Sequence, residues 1–418
     1  MLNRKGLRPA WAIALVALVA VLLTGTLTAP AQAAPALDLE ARSAVLLDFA
    51  TGQVLYEKNP DEPIAPASLT KLMTLHLAFK RIEAGQMSYD DPVVVSRNAW
   101  AANFPDSSLM FLEPGDKVTV GEVMKGLAIV SGNDAAVALA EHIGGTVENF
   151  VKMMNDEAQA LGFKTFRFVD PHGLSPQNQV TAGEFARFAR LYIQLHPESL
   201  EMLHSQKEYS YPQYENLSDA RQAVTSPKAH EPITQMNRNG LLWTYEGVDG
   251  LKTGFVDEAG FNLAVTAQRG GMRLVGVLLG IQADSIPEGS AKREAEGAAL
   301  LSWGFSNFVT VKPQMPEVKP VRVWKGAANE VTLQAAGGTP TLVLEKGLES
   351  SLTASVRQEE SVTAPVAKGQ KLGEVIFAAD GQEVARLDLV AAEDVPQGGF
   401  FKRIWDSLKL WIHGFFNR

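Results

Sequence analysis

Residues 66–79 have the sequence PASLTKLMTLHLAF, and this stretch decides how the first part of the chain folds. Pro66 ends an extended segment, and leucines then recur at the spacing of a helix. Ser68 is therefore expected at or near a helix N-terminus. Lys71 follows on the same helix face, within side-chain reach of the Ser68 hydroxyl. A hydroxyl beside an amine supplies a nucleophile and a base without histidine.

Patterns on either side of this stretch predict an α+β fold. Two short apolar runs within 43–56, separated by Thr51-Gly52, favour a β-hairpin. Alternating patterns predict strands at 261–268 and 272–281, joined by Gly270-Gly271. Helical periodicity is found at 120–129, 134–143, 147–161, 182–195 and 292–308.

The composition is that of a folded, mildly acidic protein. The chain has 418 residues, 38 Lys+Arg against 47 Asp+Glu, and a net charge of −9, which argues against nucleic acid as the main partner. It has 46% hydrophobic residues and no cysteine, so a disordered or disulfide-stapled protein is excluded. Without a thiol, the chemistry must come from oxygen and nitrogen groups.

The N-terminus has the features of a secretory signal peptide. Three cations precede an apolar run from Trp11 to about Leu27, and Ala31-Gln32-Ala33 is a small-x-small cleavage signal. We expect residues 1–33 to be removed on export. Because the apolar run is slightly long, an uncleaved N-terminal anchor is the alternative.

The C-terminal part differs in composition. Beyond the proline-containing stretch 311–316, short runs rich in Val, Leu and Thr alternate with Gly- and Asp-containing turns, which predicts a small all-β sandwich. Residues 400–418 then place aromatic and aliphatic side chains on one helix face and four cations with one acid on the other. This pattern favours a helix that lies in a membrane surface. A terminal helix packed on its own protein is the alternative.

Three short motifs follow one another along the chain. They are Ser68-Leu69-Thr70-Lys71, Ser131-Gly132-Asn133 and Lys252-Thr253-Gly254. Ser96-Arg97-Asn98 also fits the second pattern, but it lies in a polar loop. Ser131 instead follows an apolar run and precedes a helical one, which suits a turn directed into a cleft, so we prefer Ser131.

Each motif predicts a chemical role. Lys71 can act as a base only if burial and a nearby cation, for which Lys252 is the candidate, lower its pKa. Ser131 can relay a proton to a leaving nitrogen, and the Asn133 amide can hold a substrate backbone. Thr253-Gly254 on a strand edge would let an extended peptide lie alongside.

Two other kinds of site have less support. His172, in Asp170-Pro171-His172-Gly173, could form a Ser-His-Asp triad with Ser68, but a histidine in a Pro-Gly turn is more often structural. The seven histidines are scattered, and none has His-Glu-x-x-His spacing. We therefore expect neither a metal site nor a cofactor.

The order and spacing of the motifs resemble those of the penicillin-binding serine acyl-transferases, and more narrowly the low-molecular-mass D-alanyl-D-alanine carboxypeptidases of bacteria. The similar segments are 66–73, 130–135, 170–174, 237–242 and 249–254. The resemblance implies a penicillin-binding/β-lactamase-like domain, with an antiparallel sheet flanked by helices, over 38–310. It further implies a β-sandwich domain over 316–395 and an amphipathic membrane-anchor helix over 398–418.

The same resemblance implies roles for individual residues. Ser68 would be the acylated nucleophile, with Lys71 and Ser131 as its catalytic partners. The backbone N–H groups of Ser68 and Phe255 would form the oxyanion hole. The substrate would be bound by Asn133, Lys252, Thr253, Gly254, Arg238 and Arg293. Relatives often have histidine at the position of Phe255, so no polar side-chain role is carried over there.

The expected function is a serine D-Ala-D-Ala carboxypeptidase that trims peptidoglycan stem pentapeptides and is acylated by β-lactams. The enzyme would be periplasmic and peripherally attached to the outer surface of the cytoplasmic membrane. A β-lactamase, a DD-endopeptidase and a non-hydrolytic penicillin-sensing or wall-binding protein are the alternatives. The Glu-x-x-Leu-Asn motif of one β-lactamase class does not occur between Asn133 and Lys252.

Overall fold

The computed structural model describes residues 35–416, with side chains as far as residue 412. The expected signal peptide lies outside the described residues. The strands of the first part are β1 (Ser43–Asp48), β2 (Val54–Lys58), β3 (Pro92–Val94), β4 (Lys117–Thr119), β5 (Glu208–Tyr211), β6 (Ile233–Met236), β7 (Val248–Val256), β8 (Gly260–Arg269) and β9 (Met272–Ile281).

The helices are α1 (Lys71–Glu83), α2 (Val120–Ala128), α3 (Asn133–Gly144), α4 (Val147–Ala160), α5 (Ala182–Leu195), α6 (Asp219–Val224), α7 (Leu241–Thr244), α8 (Ile286–Asn307) and α9 (Phe400–Phe416). Shorter helical turns occupy Ala67–Thr70, Ala101–Asn103, Leu200–His204, Tyr214–Asn216 and Glu349–Ser351.

An antiparallel sheet with the strand order β2-β1-β9-β8-β7 organises this part. Alternate residues of β1 point to opposite faces of the sheet. Val45 and Leu47 face the cluster formed with α1 to α5, whereas Leu46 faces Leu300 of α8. Gly304 allows α8 to lie close, because a Cβ there would be 2.6 Å from the Leu46 Cδ2 atom. Both faces of the sheet are therefore covered, and β7 is left at an edge.

Helix α1 runs through the interior of the helical cluster. Every residue from 71 to 79 is buried, including Lys71, Thr74 and His76. The leucine spacing in the sequence predicts one apolar face, but tertiary packing covers all sides of the first two turns. A lysine placed there loses its hydration, which disfavours its protonated form.

Most predicted elements form, with one difference in where a helix begins. Ser68 lies near a helix N-terminus, as expected, in the short helical turn Ala67–Thr70 that passes directly into α1. The helix predicted over 292–308 already begins at Ile286. The Ser285 side chain accepts a hydrogen bond from the Glu288 N–H and caps this earlier turn, which has little apolar periodicity.

The C-terminal part is all-β, as predicted. Its strands are β10 (Phe308–Val311), β11 (Val321–Trp324), β12 (Glu330–Val331), β13 (Leu333–Ala335), β14 (Leu342–Glu345), β15 (Thr353–Gln358), β16 (Ser361–Thr363), β17 (Lys371–Ala379) and β18 (Gln382–Ala391). They form sheets ordered β12-β11-β16, β13-β18-β17-β15 and β10-β14. Strand β10 follows α8 directly and pairs with β14, so it connects the two parts across the expected domain boundary.

Helix α9 packs against β11 through its polar side. The Asp406 carboxylate is 5% exposed and accepts hydrogen bonds from Lys325 N at 2.8 Å and from Lys402 Nζ at 3.1 Å. Seven apolar side chains of α9 within residues 400–412 are exposed. Within residues 35–416 there is no helix whose length and apolar character would let it span a bilayer.

Candidate active site

Two glycines let neighbouring backbone approach the turn that bears Ser68. Gly254 on β7 is one, since a Cβ there would lie 2.8 Å from Pro66 O and 3.1 Å from Ser68 N. Gly173 has a φ of +91°, and a Cβ on it would be 1.9 Å from Ala67 O. Larger residues at either position would push the Ser68 turn out of place. The turn is thus held between the edge strand and the 170–175 loop.

Asn262 ties the segment before Ser68 to the sheet. Its Nδ2 donates to Ala65 O at 2.9 Å, and its Oδ1 accepts from Gly280 N at 2.9 Å. Asn262 is fully buried on β8. Both ends of the amide are therefore used to fix the approach to Ser68, a role that no motif or periodicity in the sequence indicates.

The Lys71 amine lies at the centre of the site. Its Nζ is 2.9 Å from Ser68 Oγ, 2.7 Å from Asn133 Oδ1 and 2.7 Å from the backbone oxygen of His172. Burial lowers the pKa of Lys71 from 10.5 to about 7, while the charges of Asp170 and Asp134 oppose the shift. Burial, one of the two causes expected from the sequence, is thus the main one, and the charge of Lys252, the other, is not among the largest causes. Near neutral pH a large fraction of the amine is unprotonated and can accept the Ser68 proton.

The Ser131-Gly132-Asn133 turn faces Ser68 at the start of α3. Ser131 is buried, has a φ of +63° and lines the same cavity. The Asn133 Oδ1 accepts from Lys71, and its Nδ2 donates to Ser107 Oγ at 3.0 Å. The amide expected to hold substrate thus has protein partners on both sides and positions Lys71.

Asp134 organises the loop opposite this turn. Its carboxylate accepts from Met110 N at 2.8 Å and from Leu112 N at 2.9 Å, and burial raises its pKa. The loop it holds brings Ser107 and Ser108 to the cavity wall. Sequence reasoning missed all three residues. The one feature of the sequence that could have pointed to Asp134 is its position directly after Asn133.

Thr253 on β7 lines the opposite wall, and Lys252 lies buried behind it. Lys252 is 2% exposed, and its Nζ donates to Thr253 O at 3.0 Å. Burial, followed by the charges of Lys71, Arg293 and Arg238, lowers its pKa well below 10.5. A carboxylate arriving here would relieve the repulsion among these cations.

Arg238 and Arg293 lie at the same wall. Arg293 is 5% exposed, and its Nη2 donates to the backbone oxygen of Arg238 at 3.1 Å. The Arg293 Nε is buried and has no hydrogen-bond partner within the described part of the chain. Burial lowers the pKa of Arg293 to about 10, so it stays charged near neutral pH. These donors suit an anionic group entering the cavity.

The cavity has a volume of about 560 Å³ and collects most of the residues singled out from the sequence. Those in its wall are Ser68, Ser131, Asn133, Arg238, Thr253, Gly254, Phe255 and Arg293. Lys71 and Lys252 lie buried behind this wall. The Phe255 ring packs on Phe261, with 4.4 Å between centroids, and gives one side of the cavity an apolar surface.

His172 makes no contact that would complete a Ser-His-Asp triad. Its Nδ1 lies 3.2 Å from Asp170 Oδ1 and also accepts from Leu174 N. Burial lowers its pKa to about 4. What His172 gives the site is its backbone oxygen, which holds Lys71. This arrangement favours the structural interpretation.

Ser96 lies outside the cavity wall. Its hydroxyl oxygen accepts from the backbone N–H groups of Asn98 and Ala99, as in a local turn. The geometry thus agrees with the preference for Ser131.

Comparison with known proteins gives the same family over both parts of the chain. A family model described as D-alanyl-D-alanine carboxypeptidase matches residues 28–283, and one described as the C-terminal domain of penicillin-binding protein 5 matches residues 309–397. The chain is 38% identical over 403 residues to D-alanyl-D-alanine carboxypeptidase DacC of Escherichia coli strain K12, covering 94% of each protein. It is 37% identical to DacA of Haemophilus influenzae, covering 91% of each.

Solved structures of similar proteins share this fold. Penicillin-binding protein 5 from Haemophilus influenzae superposes with a TM-score of 0.75 at 36% identity, covering 87% of this chain and 99% of that one. Penicillin-binding protein D2 from Listeria monocytogenes, in its ampicillin-bound form, gives 0.53 at 28% identity, covering 65% of this chain and 100% of that one. The predicted fold class is confirmed. The chain belongs to the D-alanyl-D-alanine carboxypeptidase family.

Proposed function

We propose that this protein is a serine D-Ala-D-Ala carboxypeptidase that removes the terminal D-alanine from peptidoglycan stem pentapeptides. The observation that supports this most directly is the 2.9 Å contact between Ser68 Oγ and a fully buried Lys71 whose pKa is lowered to about 7. The contact lies beside a cavity whose opposite wall includes the guanidinium groups of Arg238 and Arg293. A nucleophile, its base and a carboxylate-binding wall are the parts such a reaction needs.

Acylation begins with attack of Ser68 Oγ on the carbonyl carbon between the two D-alanines. Lys71 Nζ takes the hydroxyl proton, and the backbone N–H groups of Ser68 and Phe255 stabilise the oxyanion. The C–N bond then breaks, and Ser131 relays a proton from Lys71 to the leaving amine. Free D-alanine departs and leaves an ester on Ser68. Water hydrolyses this ester and restores the Ser68 hydroxyl.

Substrate binding uses the edge strand and the cationic wall. Because β7 has a neighbour on one side only, an extended peptide can lie along Thr253-Gly254 as an added strand. The terminal carboxylate would meet Lys252, Thr253, Arg238 and Arg293. Asn133, which holds Lys71, would also border the bound peptide.

β-Lactams should acylate the same serine, because their ring amide takes the place of the D-Ala-D-Ala bond. The relative from Listeria monocytogenes has been solved in its ampicillin-bound form, which supports this proposal. Slow hydrolysis of the resulting ester would separate this protein from a β-lactamase.

Intact-mass spectrometry with penicillin G, run beside D-alanine release from a diacyl-Lys-D-Ala-D-Ala peptide, tests the proposal. We expect a persistent penicilloyl adduct and D-alanine release from the wild type. The matched variant Ser96→Ala should keep both, whereas Ser68→Ala should lose both. Rapid loss of the adduct without D-alanine release would indicate a β-lactamase. Absence of an adduct on the wild type would refute Ser68 as the nucleophile.

We further propose that residues 1–33 direct export and that the catalytic and β-rich domains extend over 38–310 and 316–395. Residues 398–418 would anchor the periplasmic enzyme to the outer surface of the cytoplasmic membrane. The orientation of α9 supports anchoring, since its only acid, Asp406, is turned toward the protein. The outward apolar residues are Phe400, Phe401, Ile404, Trp405, Leu408, Trp411 and Ile412.

Flotation with vesicles of anionic lipid tests the anchor. Trp405, which is 59% exposed, is replaced by Glu, and Val384→Glu, at a 39% exposed position of the β-rich part, is the control. We expect Trp405→Glu to reduce flotation because it puts a charge on the apolar face. Equal flotation of both variants and the wild type would contradict the proposal.

A further inference from the structure

A cluster of three potential metal ligands lies at the end of α1 remote from Lys71. Glu83 is the last residue of α1, His196 caps α5, and Glu198 follows it. One ligand atom from each residue lies within 4.8 Å of the others. His196 is 1% exposed, while the two glutamates face solvent. The cluster is therefore open to ions from outside.

A chain of hydrogen bonds continues from this cluster into the protein. Glu83 Oε1 lies 2.6 Å from His196 Nδ1, and His196 Nε2 lies 2.8 Å from His76 Nδ1. The other nitrogen of His76 lies 3.1 Å from Glu157 Oε1. All four ring nitrogens of the two histidines are engaged, and an ionised carboxylate stands at each end.

This chain of hydrogen bonds lacks one hydrogen when both histidines are neutral. Each of the three contacts needs one hydrogen, and ionised Glu83 and Glu157 can supply none. Two neutral imidazoles, His76 and His196, bring only two hydrogens in all. Every contact in this hydrogen-bonded chain is satisfied only if a third proton makes the histidine pair cationic, or if a metal cation takes the place of that proton at one end.

We propose that Glu83, His196 and Glu198 form a binding site for a divalent transition-metal ion of the Zn²⁺ type, coordinated by His196 Nδ1 and one oxygen from each glutamate. His196 Nε2–H would then donate to His76 Nδ1, and His76 Nε2–H would donate to Glu157. Both histidines are neutral in this state and every contact has one hydrogen. A metal-bound histidine that donates its second N–H to a fixed acceptor is the usual support for such a ligand.

The surroundings favour a cation at this cluster. The C-terminal ends of α1 and α5 meet at the site, and both helix ends attract positive charge. The nearby Lys80 ammonium pairs with Glu157 rather than with Glu83 or Glu198.

The donor set and its spacing suit Zn²⁺ in particular. One imidazole and two carboxylates, with water as a fourth ligand, match known zinc coordination. In a tetrahedral site, ligand atoms lie about 3.3 Å apart. Glu83 is half exposed and can rotate away from its 2.6 Å contact to make room. Ca²⁺ and Mg²⁺, which prefer an all-oxygen shell, should bind more weakly.

The ion would have a structural role, independent of the proposed catalysis. Glu83 follows Lys71 by roughly 18 Å along α1, since a helix rises about 1.5 Å per residue. A metal bound there would join the end of α1 to the segment after α5. It would stabilise the helix that presents Lys71 without contacting the substrate.

Isothermal titration of the untagged full chain with ZnCl₂ tests the site. We expect one equivalent of Zn²⁺ to bind per chain. Glu198→Gln and His196→Gln should weaken binding at least about tenfold. Glu201→Gln, an exposed acid on the neighbouring turn, should bind like the wild type.

The outcomes are separable from those of the catalytic proposal. Glu198→Gln alters an exposed side chain, so it should fold and be acylated by penicillin G like the wild type even if His196→Gln does not fold. Equal Zn²⁺ affinity in Glu198→Gln and the wild type would overturn the site, as would the absence of one-equivalent binding. Loss of acylation in Ser68→Ala is unaffected by either result.

Discussion

The acylation rate should follow the protonation of Lys71. Lys71 can accept the Ser68 proton only as a neutral amine, and burial brings its pKa down from 10.5 to about 7. Below this value the amine gains a proton and loses its function as a base. Acylation should therefore slow as the pH falls through about 7 and level off above it.

The size of the effect follows from this pKa. One pH unit below the pKa, about 9% of the amine is neutral, so the rate should fall about tenfold for each further unit. With the ordinary pKa of 10.5, the rate would instead keep rising throughout the neutral range. The burial of Lys71 thus moves the working range of the base by more than three pH units.

The assay is the second-order rate of penicilloyl adduct formation, measured by quench and intact mass from about pH 5 to about pH 9. Penicillin G keeps its ionised carboxylate over this range. Lys71→Arg is the control, because a guanidinium stays protonated and should abolish acylation at every pH. A flat profile in the wild type, or a rate still rising tenfold per unit at about pH 9, would refute the reasoning.

Three substitutions test the roles of other residues in or near the site. Gly254→Ala, whose Cβ would lie 3.1 Å from Ser68 N, should displace the nucleophile and reduce acylation about 100-fold, with little change in circular dichroism. Asn262→Ala leaves Ala65 O and Gly280 N without their partner, so the free energy of unfolding should fall by about 1–3 kcal/mol in urea titrations. Arg293→Gln should raise KM for D-Ala-D-Ala peptides more than it lowers kcat, and steady-state D-alanine release separates the two. Unchanged values in any of these measurements would remove the corresponding role.

Local sequence determined the helices and strands and the pairing of Ser68 with Lys71. Helical and strand periodicities are set by nearest neighbours on one face, so most predicted helices and both central strands formed close to their expected bounds. The Ser68–Lys71 contact is equally local, since residues three apart on a helical turn face each other. The family could also be recognised at this level, because its motifs are short and ordered.

Tertiary structure decided how the site works. Asn133 and the backbone oxygen of His172 reach Lys71 from 62 and 101 residues away in the chain, and no local pattern encodes such contacts. The lowered pKa of Lys71 likewise depends on α1 being covered on all sides, whereas its leucine spacing predicts one buried face. The hydrogen-bonded chain from Glu83 through His196 and His76 also joins distant segments. Periodicity shows which face of an element is apolar, but the polar groups brought against that face are fixed only when the elements pack.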